Sequence, residues 1–202
     1  RVVLLLRDIL DSPEATRRIW RKNRYFDAIE AHYDAVLVVG QPEVFDLCQE
    51  YGFPATAADK VRFCGYMGRP PGRQRRIDVR SELGVVNGTP LVLVTPGGGE
   101  DGDHLVETYV EALAGTPAGE RPRSHIVFGP EMAVERRDAL KARIAAMTQV
   151  THQDFSDDMM SLMAAADVVV SMGGYNTVCE VLSLARRAVV VPRVRPVLEQ
   201  CI

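Results

Sequence analysis

Apolar runs of strand length alternate with amphipathic stretches of helix length almost from one end of this chain to the other. That alternation leaves few folds open. A continuous apolar run must be buried on both faces, which calls for a parallel sheet, and each intervening helix supplies a crossover between neighbouring strands. In a first segment, strands are predicted at 2–6, 35–39 and 61–64. Ser12-Pro13 opens a helix, with Ser as N-cap and Pro at the first helical position, and the pattern carries it to about residue 33. Gln41-Pro42 starts a second helix, which Gly52 ends. The Gly-, Pro- and Arg-rich stretch that follows breaks both periodicities, so 66–80 reads as an interdomain linker, with a short helix at about 80–83. A second segment repeats the plan, with strands at 91–95, 125–128, 150–155, 167–171 and 188–191. Its helices are predicted at 104–113, 131–147, 157–165 and 175–185. The expected fold is α/β, two Rossmann-like doubly wound parallel-sheet domains over 1–65 and 81–202. The first is incomplete, its remaining strands expected upstream of Arg1. Residues 197–202 read as the start of a helix, and the chain as an internal piece of a longer protein.

The chain has 202 residues, 47% of them hydrophobic, and a formal net charge of -3. That composition supplies ample core. The mild acidity argues against nucleic acid as a partner, since such proteins carry a basic excess. No apolar run approaches the length that spans a bilayer, and the run at 2–6 is cut off by Arg7-Asp8, too early for a signal peptide. Cys48, Cys64, Cys179 and Cys201 show no metal-ligand spacing, so they read as reduced thiols of a cytoplasmic protein.

One βα junction carries chemistry. The strand Asp167-Val168-Val169-Val170-Ser171 runs through Met172 into Gly173-Gly174, and Tyr175-Asn176-Thr177-Val178-Cys179-Glu180 opens the next helix. The free N–H groups of a helix start, with the macrodipole, form an anion site. Two glycines let a phosphate approach the backbone without a Cβ in the way. Thr177 adds a hydroxyl donor. Glu180 lies one turn back, where its two oxygens suit the two hydroxyls of a ribose. The pattern suits a nucleoside diphosphate, and a nucleotide-sugar in particular. In parallel sheets ligands bind beyond the carboxyl ends of the strands, which puts four loops at the expected cleft: 7–11, 97–103, 154–157 and 171–177.

Other candidates read more plainly. Asp101-Gly102-Asp103 resembles a metal-binding Asp-x-Asp, but acidic decoration of the following helix start explains it as well, and no metal is expected. His32, His104, His125 and His152 are isolated; His104 alone lies at a predicted cleft loop, and His152, on or near a strand, suits a buried neutral ring. Arg7-Asp8 ends a strand at the cleft face, as an acceptor contact or a surface ion pair. Arg73, Arg75 and Arg76 form a basic cluster that is either solvated linker or a contact for anionic lipid headgroups.

The run Phe155-Ser156-Asp157-Asp158-Met159 precedes Ala166-Asp167-Val168-Val169-Val170-Ser171 and Gly173 to Glu180, and Val189-Val190-Val191-Pro192 and Glu199-Gln200 follow. In order and spacing this resembles the donor-binding domain of MurG-like glycosyltransferases of the GT-B fold. Thr95-Pro96-Gly97-Gly98-Gly99 is similar to that family's second glycine-rich loop, and Gly65-Tyr66-Met67-Gly68-Arg69 stands where the family has an interdomain Gly-Asn-Pro-x-Arg. The likeness covers most of 61–202 and is weak before 60. It implies that 81–202 binds a nucleotide-diphosphate sugar, such as UDP-N-acetylglucosamine, and that 1–65 is the C-terminal part of an acceptor-side domain. The implied donor site comprises Gly173, Gly174, Asn176 and Thr177 at the diphosphate, with Gly98 and Gly99 of the second loop. Glu180 would take the ribose and the backbone near Ser156 the base. Glu199 and Gln200 would touch the donor sugar, and Arg69 would approach the phosphate. No cofactor is implied. The catalytic base would lie upstream of Arg1. The acceptor is open, lipid-linked or a small molecule, with peripheral contact at the inner membrane face or a partner chain completing the first domain. The sequence departs from the family at Tyr66-Met67, where Asn-Pro is usual, and at the acidic run Glu100 to Asp103. A nucleotide-sugar 2-epimerase, similar in its Ser-x-Gly-Gly turn, and a non-catalytic nucleotide-sugar-binding subunit are the alternatives.

Overall fold

The computed structural model describes residues 1–86, 88–98 and 100–202. The chain divides into two compact units, Arg1–Met67 with Arg193–Ile202, and Gly68–Pro192.

In the first unit, strands β1 (Val3–Arg7), β2 (Ala35–Val39) and β3 (Val61–Phe63) form a parallel sheet in that order. Helices α1 (Pro13–Lys22) and α2 (Tyr25–His32) connect β1 to β2. Here the structure corrects the single long helix expected from 13 to 33. Arg24 adopts a left-handed φ of 56°, which ends one helix and starts the next. The helix expected from Gln41-Pro42 begins later, as α3 (Leu47–Tyr51), because the Asp46 side chain caps it by accepting from Cys48 N and Gln49 N. A short α4 (Ala55–Ala58) follows. Trp20, Phe26, Tyr51 and Phe53 pack ring to ring at the centre of this unit. The Tyr51 hydroxyl accepts from Leu10 N at 2.8 Å and donates to Asp11 O at 3.2 Å, so the core holds the loop after β1. Asp8, at that loop's start, is buried and accepts from the Tyr66 hydroxyl at 2.7 Å, so it is a packed element of the loop, while Arg7 is exposed.

The second unit opens with α5 (Arg76–Glu82), inside the stretch expected to be linker. Strand β4 (Leu91–Thr95) is followed by α6 (Asp103–Gly115), β5 (Arg123–Val127), α7 (Val134–Ile144) and β6 (Val150–Gln153). Then come α8 (Met159–Ala165), β7 (Val168–Met172), α9 (Tyr175–Ser183) and β8 (Arg187–Val191). The sheet order is β6-β5-β4-β7-β8, with every pair parallel. Alternate side chains of β4 serve opposite layers, as the two-residue period of a strand requires. Val94 packs with Val106, Val110, Leu140 and Ile144 from α6 and α7. Leu93 packs with Met163 and Val181 from α8 and α9. The first strand is therefore central, and the sheet grows outward from it in both directions.

The base of this sheet is tied by one carboxylate. Asp167 accepts from Leu91 N at 2.8 Å and Arg80 at 3.0 Å, and pairs with Arg76 at 2.5 Å. Burial pushes its pKa up, but these donors outweigh that and hold it at about 2. Arg75 pairs with Asp78, and Arg73 with Asp157 and Asp158. The basic cluster at 73–76 is thus neutralised by carboxylates. His125, not His152, is the buried histidine: it sits on β5 with Nδ1 2.9 Å from Thr151 Oγ1, and burial lowers its pKa to about 4. His152 is exposed. Residues 193–202, grouped with the second domain on sequence, belong to the first unit, and their predicted helix is a 3₁₀ turn over Glu199–Cys201.

Candidate functional site

The strand order reverses between β4 and β7. Thr95 and Ser171 lie side by side near the carboxyl ends of these strands, and their connections leave toward opposite layers. A crevice must open where they part, the switch point at which open parallel sheets bind ligands.

On one side of the crevice is the start of α9. Gly174 is its N-cap residue, which has no side chain to cap the helix. The N–H groups of a first turn lack intrahelical partners. Gly174 has an ordinary φ of -64°, and among the described residues a Cβ there would meet no other atom within 4 Å. Among those residues, neither backbone strain nor packing calls for glycine at this position.

On the other side, the loop after β4 is braced by the loop after β5. Gly97 has a φ of +83°, and Gly129, at +90°, lies so close that an added Cβ would stand 2.5 Å from the carbonyl oxygens of Gly97 and Gly98. Glu131 N donates to Gly98 O at 2.9 Å. Gly129 is a residue the sequence reading missed; a Gly-Pro pair after a strand was the available signal.

Between them lies a cleft of about 210 Å³. Of the residues singled out on sequence, Arg69, Gly98, Ser156, Asn176, Thr177 and Glu180 all line it. Gly173 and Gly174 form the turn beside it, and Gly99 lies outside the described residues. Thr177 is 9% exposed, on the first turn of α9. Glu180, one turn on, has a side chain only 13% exposed, paired with Arg69 Nε at 3.4 Å. Burial raises its pKa, and the Arg69 charge opposes that rise. Phe155, not singled out on sequence, lines the same cleft with its side chain 60% exposed. A large aromatic left open at a cleft edge suits a flat ligand.

Glu199 and Gln200 are not among the residues that line the cleft. In the first unit Glu199 pairs with Arg193 at 2.5 Å, and Gln200 Oε1 accepts from Arg193 N at 2.9 Å. Asp103 opens α6 and pairs with Arg136 at 3.6 Å, as dipole decoration predicts. Among the described residues, the four cysteines form no disulfide. Among the described residues, no helix is long and apolar enough to cross a membrane.

Comparison with known proteins agrees with this geometry. The UDP-N-acetylglucosamine--N-acetylmuramyl-(pentapeptide) pyrophosphoryl-undecaprenol N-acetylglucosamine transferase of Verminephrobacter eiseniae is 36% identical over 104 residues, 51% of this chain and 28% of its own length. The enzyme of the same name from Cupriavidus necator is 33% identical over 150 residues, 68% of this chain and 40% of its own. Matches thus span well under half of these relatives. Among solved structures, Anabaena HepE in complex with UDP-glucose covers 93% of this chain and 52% of its own, with a TM-score of 0.58 and 22% identity. MurG of Acinetobacter baumannii covers 94% and 58%, with a TM-score of 0.50 and 21% identity. These likenesses carry the fold, the two-domain GT-B architecture expected from sequence. Residues 87–197, over half of the chain, match the glycosyltransferase family 28 C-terminal domain, and the chain belongs to that family.

Proposed function

We propose that this chain carries the donor-binding part of a glycosyltransferase that moves a sugar from a UDP-linked donor, such as UDP-N-acetylglucosamine, to an acceptor hydroxyl. One observation carries the reading. A helix start with glycine at its N-cap, a buried hydroxyl and a largely buried carboxylate converge on a single cleft at the switch point of the sheet.

Each group has a part. The N–H groups of Gly174, Tyr175 and Asn176, with the Thr177 hydroxyl, hold the diphosphate. Arg69, 52% exposed, swings to the phosphates. Glu180 accepts from the two ribose hydroxyls. The backbone at Ser156 reads the base edge, and the Phe155 ring covers the base. In the transfer, the acceptor oxygen bonds to the anomeric carbon as the bond from that carbon to the β-phosphate oxygen breaks. The nucleoside diphosphate leaves with the electron pair, and the acceptor proton passes to a general base, which we place outside residues 1–202. The helix start and Arg69 stabilise the charge that develops on the leaving group, so no metal is needed to neutralise it. The relatives are named for an undecaprenyl-linked acceptor. On that likeness we propose a lipid-linked acceptor, met at the cytoplasmic face of a membrane.

Titration calorimetry with UDP, UMP and uridine tests the donor site. Affinity should rise in the order uridine, UMP, UDP, because each phosphate adds contacts at the α9 start. Absence of heat with UDP, or equal affinity for all three, would sink the proposal.

A further inference from the structure

The segment between β6 and α8 carries Phe155, whose ring stands open at the donor cleft. An aromatic on a loose loop loses part of its binding energy to ordering that loop. This segment is fastened at both ends. At its far end Asp158 accepts from Arg73 N at 3.0 Å and from the Ser161 hydroxyl at 2.7 Å, and Asp158 N donates to Ser156 Oγ at 3.1 Å. At its near end Phe128 N donates to Gln153 O at 3.1 Å and Gly129 N to Asp154 O at 3.0 Å.

The side chains of Asp154 and Phe155 leave β6 toward opposite layers. The Phe155 ring lines the cleft with Met159 and Met163 on the α8 side, and the Asp154 carboxylate turns to α7. There Lys141 Nζ lies 2.7 Å from Oδ1 and 3.0 Å from Oδ2, and Arg137 Nε lies 3.7 Å from Oδ2. The Lys141 hydrogen bond, first among several causes, lowers the Asp154 pKa from its ordinary value. Arg137 and Lys141 are like charges four residues apart on one helix face, an arrangement that opposes helix formation, and the carboxylate between them offsets it. Their side chains are only 18% and 28% exposed, so neither is a freely solvated charge. Lys141 Nζ is also 6.0 Å from the centre of the Phe128 ring, a second contact that fixes the ammonium. Among the described residues, none of Arg137, Lys141 and Asp154 lines the cleft. Whatever they do for a ligand, they do through the residue next to Asp154.

We propose that Lys141 and Arg137, acting through Asp154, are positioning residues that hold the Phe155 ring ready for the base of the donor. This inference rests on the donor-site reading above and adds to it the elements that set the aromatic in place.

The experiment is a double-mutant cycle on UDP binding, read by titration calorimetry on the chain, Lys141→Met, Phe155→Ala and the combination of the two. Loss of stacking in Phe155→Ala should weaken UDP about 5- to 150-fold. Lys141→Met should weaken it about three- to fivefold, the upper end for a partly exposed ion pair. In the Phe155→Ala background, Lys141→Met should weaken UDP no further, because no ring is left to position. Lys141→Arg, which keeps the charge, should bind UDP as the parent chain does. Asp154→Asn, close in size to the parent residue, runs the same cycle from the other side of the pair, so the proposal stays testable if Lys141→Met does not fold. A merely structural role would lower the melting temperature and weaken UDP equally in both backgrounds, and that additive result overturns the proposal. Parent-like UDP affinity in Lys141→Met or in Phe155→Ala overturns it too, as does a loss in Lys141→Arg equal to that in Lys141→Met. Failure of the parent chain itself to bind UDP removes the donor-site reading, and this inference with it.

Discussion

Glu180 and Arg69 make opposite demands on the same cleft, and separating them tests the donor site most sharply. The Glu180 side chain is 13% exposed and pairs with Arg69 Nε at 3.4 Å. In the proposed complex its two oxygens accept from the ribose while Arg69 turns to the phosphates. Glu180→Ala removes hydrogen bonds to a charged group, worth about 1–3 kcal/mol, or roughly 5- to 150-fold in affinity for UDP and uridine alike. Arg69→Ala acts differently on the two ligands. UDP loses a charge-assisted contact of about 1.5–3 kcal/mol. Uridine loses nothing, and gains a carboxylate no longer engaged by a guanidinium. A partly exposed ion pair is worth about 0–1 kcal/mol, so uridine should bind as well as before or up to about fivefold tighter. Calorimetry or competition fluorescence on both variants reads the four affinities. Equal UDP affinity for the parent chain and Glu180→Ala would remove the ribose role. A fall in uridine affinity on Arg69→Ala would show that the arginine supports the carboxylate instead of competing with ligand for it.

Five more outcomes follow from the geometry. Gly174→Ala should change stability by no more than about 1 kcal/mol, since Ala at an N-cap is only modestly worse than Gly, yet weaken UDP binding at least about tenfold; retained binding would show that no phosphate approaches there. Gly129→Ala should instead unfold the loop pair, costing more than the roughly 1–2 kcal/mol of left-handed strain alone, because its Cβ would strike the Gly97 and Gly98 carbonyl oxygens; an unchanged melting temperature would contradict this. Burial raises the Glu180 pKa, so protonation should remove its acceptor capacity at a pH above the usual carboxylate range; uridine affinity should fall on acidification, and Glu180→Gln should flatten the profile. Asp167 is held at about 2, well below its unfolded value, so its contribution is complete above about pH 4 and is lost as pH falls toward 2. At a carboxylate 38% exposed, solvent screening limits that contribution to about 1–2 kcal/mol; acid melts of Asp167→Asn should lack this portion of the pH dependence. Finally, sugar transfer by the whole protein should persist in excess EDTA, and activity restored only by Mg²⁺ or Mn²⁺ would overturn the proposed metal independence.

The strands were legible because burial on both faces leaves an unbroken apolar run, and runs such as Leu91–Thr95 and Val168–Met172 have no other reading. Helix boundaries were less so. A single left-handed residue, Arg24, breaks the helix expected to reach 33, and nothing in an arginine announces a positive φ. Asp46 decides where α3 starts, yet Gln41-Pro42 offered an equally good local start. Local signals identify possible caps; tertiary packing selects among them. The same limit appears at the linker, where Arg76 and Arg80 become helical because Asp167, far along the chain, receives both.

The site divides in the same way. Gly174, Thr177 and Glu180 were readable because one helix start carries all three, and their spacing in sequence is their spacing in space. Phe155 and Gly129 reach the cleft only through the strand order β6-β5-β4-β7-β8, which brings the loops after β5, β6 and β7 to one end of the sheet, and Arg69 reaches it from the segment before α5. Arg69 was placed there by resemblance alone. Glu199 and Gln200 were placed by spacing after the last strand alone, and nothing in sequence announced that Arg193 engages both side chains. Residues on the element that makes the anion site can therefore be read from sequence with physical reasons. Residues delivered by other loops depend on topology, and their roles need the binding measurements set out above.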